Sequence, residues 1–416
     1  MTQTTQHLLG SPYKLNNGAE LKNRLVKAAM SEQISDGNHN PTPDLYRLYR
    51  AWASADIGLL ITGNVMIDRS ALGEPKNVVL DAESNLDSFV KWAKAGKINH
   101  TKLWMQLNHP GKQAPKYLVS QPVAPSAIPF EGALSHAFNC PRELSSLEIT
   151  EIIKKFSESA LLAKKAGFDG VEIHGAHGYL ISQFLSKRHN QRTDEWGGSL
   201  ENRSRFLLAV YEEIRKAVGD DFGVGVKINS ADFSKEGFSQ EESRELLKML
   251  DAVGVNFIEI SGGTYENPVV LDGENTPEKK HSTSHREAYF LEYAKNAKKN
   301  VKTTIVVTGG FRSAEYMNNA LQAAELDLVG VARPFASHPE WSTELVHNPH
   351  FIMDFQKPSI GSKRLNRLFA VDLIWCEYQM QRIAKGKKPE ANVMIWKGIL
   401  SALCSIGVSA FKTKRV

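Results

Sequence analysis

The sequence predicts an α/β protein: a (β/α)8, or TIM, barrel with a lid insertion after strand 3 and a C-terminal helical extension. Three observations point there. Eight short apolar runs alternate with longer stretches of helical spacing. Each run is aliphatic or β-branched at its start and turns polar or glycine-rich at its C-terminal end. The first run passes into AAMSEQ, which lacks the G-x-G-x-x-G that opens a doubly wound dinucleotide fold.

The strands are expected over 24–30 (RLVKAAM), 58–67 (GLLITGNVMI), 102–109 (KLWMQLNH) and 170–177 (GVEIHGAH). Four more follow over 223–232 (GVGVKINSAD), 256–263 (NFIEISGG), 303–310 (TTIVVTGG) and 327–335 (DLVGVARPF). Runs that are apolar throughout suit strands buried on both faces. Helices are expected over 44–55, 148–167, 200–218, 239–254, 285–300 and 313–326, where apolar residues recur at helical spacing. Several start at Ser or Asp and stop at Gly or Asn.

Two segments stand outside the alternation. Residues 110–146 are rich in Pro, Ala and Ser, and a connection this long reads as a lid or functional excursion. Residues 351–416 form the extension. It begins with an amphipathic helix over 365–390 and carries an apolar tail over 393–411. A chain of 416 residues suggests two or three domains by length alone. The strand count reduces this to one elaborated barrel over 1–350.

Composition excludes several classes. With 42% hydrophobic residues the chain is not dominated by disorder. The net charge of +5 is scattered, so no basic stripe suits nucleic acid. The three cysteines, Cys140, Cys376 and Cys404, are too few and too widely spaced for a disulfide framework or a cysteine-ligated metal. The N-terminus, MTQTTQHLLGSPYKL, has no basic start followed by a long apolar run, so a cytoplasmic location is expected. The tail over 393–411 has one charge, Lys397. Three readings of it stay open: a membrane span, a membrane-surface helix followed by the basic KTKR, or a helix packed on the barrel or a partner subunit. Homo-oligomerisation stays open as well.

Barrels of this kind place chemistry at the C-terminal ends of their strands. Those ends carry Met30 and Ser31, Gly63 and Asn64, Gln106 and His109, His174 and His177, Lys227, Gly262 and Gly263, Gly309 and Gly310, and Ala332 and Arg333. The late glycines and Arg333 suit a phosphate, which barrels often bind after strands 7 and 8. Glu172 and His174 share one strand face, and His177 follows the strand end. Three readings compete there. They are a metal site of Glu172, His174 and His177, two structural histidines, or a donor pair aimed at a developing oxyanion with Tyr179 as a nearby acid. Lys227 is flanked by apolar residues. It suits either a Schiff-base lysine or a fixed cation beside an electron-rich ligand.

The stretch HGAHGYLISQFLSKRHNQRTDEWGGSLENRSRF over 174–206 resembles the signature of the Old Yellow Enzyme family, the FMN-dependent NADH:flavin oxidoreductases. LKNRLVKAAM, GLLITGN, MQLNHPGKQ, PVAPSAI with PRELS, VTGGF and VGVARPF agree in order, so the resemblance spans about residues 8–345. It implies that His174 and His177 hold a substrate carbonyl or nitro oxygen, and that Tyr179 protonates the substrate α-carbon. It implies that Gln106 bonds the flavin pyrimidine ring and that Lys227 is the cation beside flavin N1 and the C2 oxygen. Ala29, Met30 and Ser31 match the segment under the isoalloxazine, and Gly63 and Asn64 its edge. Gly309, Gly310, Ala332 and Arg333 match the phosphate cradle. NADH or NADPH is the implied reductant and an activated alkene the implied acceptor. A flavin enzyme working oxidatively or by demethylation is one alternative. A phosphate-binding barrel lyase or isomerase using Lys227 is another.

The sequence departs from the family pattern in places. Lys227 stands where many relatives have Arg, which keeps the charge and loses the fork. Ser31 replaces a flavin-tuning Cys or Thr, and Asn64 a common Ala. Arg188 and Trp196 replace a common Pro and Tyr. The four-cysteine cluster of the dienoyl-CoA-reductase branch is absent, so iron–sulfur and FAD chemistry are not expected.

Overall fold

The computed structural model describes residues 7–232, 236–261, 283–355, 358–362, 366, 370–390 and 395–400. Eight parallel strands close into a barrel in chain order. They are β1 (Leu25–Lys27), β2 (Leu59–Met66), β3 (Lys102–Asn108), β4 (Gly170–Gly175), β5 (Gly223–Asn229), β6 (Phe257–Ser261), β7 (Thr304–Thr308) and β8 (Leu328–Val331). Every expected strand is present, and the seven whose C-terminal ends are described are each shorter there. The residues trimmed there form the loops that carry the candidate site. The Gly262–Gly263 strand end lies outside the described residues.

The helices are α1 (Pro43–Ser54), α2 (Leu86–Gly96), α3 (Ser146–Lys165), α4 (Leu180–Leu185), α5 (Leu200–Val218) and α6 (Gln240–Ala252). They continue with α7 (Thr283–Lys298), α8 (Ala314–Gln322), α9 (Arg333–Ser337), α10 (Trp341–His347) and α11 (Val371–Ala384). Caps define their starts. Ser145 with Glu148 and Ser239 with Glu242 form complete capping boxes on α3 and α6. Helix α2 was not anticipated, because a polar run over 81–88 hides its start. Its signal is Phe89, Trp92 and Ala93, all buried at helical spacing. The end of the last expected strand is instead α9, where Pro334 sits in the first turn.

The lower barrel is apolar. Trp104 and Phe257 stack with centroids 4.7 Å apart, inside a cluster with Val26, Leu59, Ile61, Val306 and Leu328. An antiparallel hairpin, Tyr13–Lys14 with Glu20–Leu21, adds Leu15 and Leu21 from below. Gly223 makes room for the indole, since a Cβ there would lie 2.1 Å from the Trp104 ring.

Residues 110–146 are tied down. Val123–Ala124 pairs in parallel with Arg142–Glu143. Lys112 is buried at the base, with Nζ 3.1 Å from His189 Nδ1 and 4.1 Å from the Phe130 ring centroid. Arg192 Nη1 donates to the carbonyls of Pro125 and Leu144 at 3.0 and 2.6 Å. The NQR part of the sequence motif thus anchors this excursion.

The extension packs on the barrel through α11. Trp375, Cys376 and Met380 are buried, and Arg47 Nε of α1 donates to the Ala384 carbonyl at 2.6 Å. The helical residues 395–400 meet α11 where a Cβ on Gly398 would lie 3.1 Å from Ile374 Cγ2. Ile399 is buried there, while Trp396 and Leu400 stay more than half exposed. The rest of the expected tail lies outside the described residues. Among the described residues no helix is long and apolar enough to cross a membrane.

Candidate active site

Strand register assembles the polar upper barrel. One row of paired residues runs Asn64, Gln106, Glu172 and Gly225 across β2 to β5. The next runs His174, Lys227 and Glu259 across β4 to β6. Alternation along β4 puts Glu172 and His174 on one face, and β5 adds Lys227 to the same layer.

The histidines and the tyrosine form one cluster. The rings of His174 and His177 lie 5.1 Å apart, and those of His174 and Tyr179 lie 4.9 Å apart, both edge-on. His174 ends β4. His177 follows with a left-handed φ of 59°, and Gly178 continues the turn at 77°. That turn swings Tyr179 back over His174. The Asn229 side chain accepts from the His177 backbone amide at 3.2 Å, and the imidazole Nε2 lies 2.9 Å from Ser261 Oγ. The Ala176 amide donates to His174 Nδ1 at 3.3 Å, which places the imidazole proton on Nε2.

Both imidazoles are neutral. Burial, His177 and Lys227 hold His174 well below its ordinary value. Burial and then Lys227 hold His177 down to about 3. Lys227 Nζ lies 2.7 Å from Glu259 Oε1. Burial alone would lower the lysine, but the carboxyl charge beside it, Glu259 foremost, outweighs burial and holds the ammonium above its ordinary value. A protonated, ion-paired lysine is not the neutral amine that Schiff-base chemistry requires. Among the described residues no three His, Cys, Asp or Glu side chains are grouped to hold a metal.

A second group surrounds the loop after β1. Ser31 Oγ donates to the Glu74 carboxylate. Asn77 Nδ2 donates to Glu74 Oε2 at 3.0 Å and reaches Asn64 Oδ1 at 3.5 Å. Gly63 N donates to Glu32 Oε1 at 3.1 Å, and Tyr49 OH donates to the same oxygen. The Met30 carbonyl therefore lies against Gly63, and Ser31 is linked to Asn64 through Glu74 and Asn77, while Ala29 packs on the lower apolar cluster. A Cβ on Gly63 would meet Glu32 Oε2 at 2.1 Å and the Met30 carbonyl at 2.4 Å. Gly63→Ala is expected to cost about 2 kcal/mol by overpacking. Thermal unfolding measures this, and flavin retained through gel filtration reports the site.

The third group lies at β7 and β8. Gly309 and Gly310 have φ of 121° and 82° and are half-buried at the rim, a backbone that only glycine adopts readily. Ala332 and Arg333 follow β8, and the Ala28 amide joins them to β1 through the Val331 carbonyl at 2.9 Å. Arg333 Nη1 donates to Asp372 Oδ2 of α11 at 3.0 Å. Gln33 Nε2 donates to Glu377 Oε1 of α11 at 2.9 Å. Burial, then Glu74, pushes Glu377 up to about 8. The extension thus borders both the second and the third groups.

The donor set fits FMN. Gln106 Nε2 donates to Glu172 Oε2 at 2.6 Å, which leaves the amide oxygen as its acceptor for a ring N–H. Lys227 is the adjoining cation. The glycine amides and Arg333 suit a phosphate. Of the expected site residues, His174, His177, Tyr179 and Lys227 lie in the first group, Met30, Ser31, Gly63 and Asn64 in the second, and Gly309, Gly310, Ala332 and Arg333 in the third; Gln106 adjoins the first through Glu172, and Ala29 packs below on the apolar cluster. Sequence reasoning missed Glu259, Glu32, Glu74, Asn77 and Asp372. Only Glu259 carried a signal, as a lone carboxylate inside the apolar run NFIEIS.

The profile of the NADH:flavin oxidoreductase / NADH oxidase family matches residues 9–349. The chain is 40% identical over 347 residues to the NADH-dependent flavin oxidoreductase iliE of Hypocrea jecorina (strain QM6a), covering 79% of this chain and 86% of that protein. A solved 2-naphthoyl-CoA reductase in complex with 2-naphthoyl-CoA superposes with a TM-score of 0.76 at 26% identity. That match covers 83% of this chain and 54% of the other. An old yellow enzyme homologue from Zymomonas mobilis superposes with a TM-score of 0.71 at 25% identity, covering 83% and 94%. Profile, relative and solved folds converge on the cofactor that the donor set suits. The chain belongs to the Old Yellow Enzyme family and is an FMN-dependent NAD(P)H oxidoreductase.

Proposed function

We propose that the chain reduces the C=C bond of electron-poor alkenes such as enones. The observation that carries this reading is the cluster of two neutral, buried histidines with Tyr179 against His174. FMN held by these residues would supply the hydride chemistry between NAD(P)H and the acceptor. The residues supply the rest. His174, with its proton on Nε2, and His177 hold the acceptor oxygen and stabilise the negative charge that builds on it. A neutral donor does this without losing a proton of its own to solvent at neutral pH. Tyr179 gives its hydroxyl proton to the α-carbon as hydride reaches the β-carbon, and solvent reprotonates it. Lys227 and Gln106 hold the flavin pyrimidine ring. Gly309, Gly310, Ala332 and Arg333 hold its phosphate, and Ala29, Met30, Ser31, Gly63 and Asn64 line the ring.

The purified protein is expected to be yellow and to bleach with NADH or NADPH in the absence of oxygen. Cyclohexenone should then restore the colour with formation of cyclohexanone. Reduced protein that reoxidises with oxygen but leaves enones unchanged would remove this reading. The lyase or isomerase alternative predicts a lysine trapped by borohydride, which the Lys227–Glu259 pair opposes.

A further inference from the structure

We propose that Glu259 is a positioning residue that sets the charge offered to the flavin, holding the Lys227 ammonium and cancelling most of its field. The inference rests on the placement of Lys227 beside the flavin pyrimidine. Lys227 and Glu259 are directly opposite in the β5–β6 register, and 2.7 Å separates Nζ from Oε1. Their side chains are 4% and 0% exposed. A buried charge of either sign needs a partner, because desolvation costs far more than an exposed pair gains.

The layer contains a second carboxyl group. Glu172, fully buried one row below His174 on β4, feels the charge of Glu259. Two carboxylates this close to one ammonium cannot both ionise in a dry site. Glu259, paired with the lysine, is held below its ordinary value by Lys227 against the opposing effect of burial. Burial, reinforced by Glu259, pushes Glu172 well above its ordinary value. Glu172 is therefore the protonated member. It still accepts from Gln106 Nε2 and so fixes which atom Gln106 turns toward the flavin. His174 and His177, which also face Lys227, are neutral. The layer carries one positive and one negative charge.

Charge beside the pyrimidine ring tunes the flavin, and a positive charge there favours the reduced, anionic form. Glu259→Gln, made in a Glu172→Gln background so that the second carboxyl cannot ionise in its place, preserves shape and frees the lysine charge for the anionic reduced flavin. It is expected to shift the two-electron reduction equilibrium of bound FMN at least tenfold toward the reduced form. That is about 30 mV. Glu172→Gln replaces a neutral acid with a neutral amide and is expected to leave the potential in place. Lys227→Gln is expected to lower it. Adding Glu259→Gln to Lys227→Gln should change nothing further, because Glu259 without its lysine takes up a proton.

The experiment is equilibrium reduction of the FMN-loaded full chain against a reference dye, for the wild type and these variants. A potential unchanged in Glu172→Gln/Glu259→Gln while Lys227→Gln lowers it would overturn the proposal alone. An equal Glu259→Gln shift with and without Lys227 would do the same. A potential unchanged in Lys227→Gln would instead remove the placement of Lys227. If Glu172→Gln/Glu259→Gln fails to retain FMN, Lys227→Gln/Glu259→Gln against Lys227→Gln decides, and a difference between them overturns the proposal.

Discussion

Tyr179→Phe is expected to slow alkene reduction about 100-fold or more while leaving reduction of the flavin by NAD(P)H intact. The two half-reactions separate because only the second needs a proton on carbon. General acid catalysis by a positioned side chain contributes about 10²- to 10⁴-fold. Tyr179 is 8% exposed, so bulk water has little access in its place. Its ring packs edge-on to His174, and Phe preserves that contact with the hydroxyl removed. Stopped-flow absorbance would follow the flavin in each half-reaction. Solvent deuterium is expected at the α-carbon of the product from the wild type. A variant that reduces cyclohexenone at the parental rate would transfer the proton-donor role elsewhere.

His174→Ala is expected to lower kcat for enones by about 10²- to 10³-fold, the cost of losing one preorganised oxyanion donor. Saturated ketones that bind over the flavin should also bind more weakly to this variant. The same side chain receives the Ala176 amide on Nδ1, so its removal frees the turn that carries His177 and Tyr179. His177→Ala is expected to act more mildly on structure, since its backbone amide still donates to Asn229. The pH dependence follows from the neutral state. His177 is held down to about 3, so the alkene half-reaction should show no histidine inflection between pH 5 and 8. For stability the sign is opposite to that of a salt-bridged histidine. Below the ordinary histidine range the unfolded chain takes up a proton that the folded chain refuses, so stability falls as pH drops toward 3. Denaturant midpoints across that range would measure it.

Much of the site was legible because a barrel converts position in the sequence into position in space. Gln106, His174, Lys227, Gly309 and Arg333 each end an apolar run, and parallel strands bring all such ends to one rim. The helices were legible where capping and spacing agreed, as in α3 and α6. Helix α2 was not, because its buried face is short and its start is polar. The carboxylates that support the site left almost no trace. Glu32, Glu74 and Asp372 sit in segments that read as loop or surface, and their partners come from other elements.

The sequence by itself determined the barrel, the order of its strands, the family signature over 174–206 and the residue types at the rim. Those follow from local periodicity and from chemistry placed at strand ends. The tertiary structure alone decided the ionisation states. Whether Lys227 is a nucleophile or a fixed cation depends on Glu259, which only the β5–β6 register sets opposite it. Whether His174 and His177 are charged depends on how completely the barrel excludes water from them. Ionisation is set by burial and by neighbours that are distant in the chain, and neither quantity exists before the strands close.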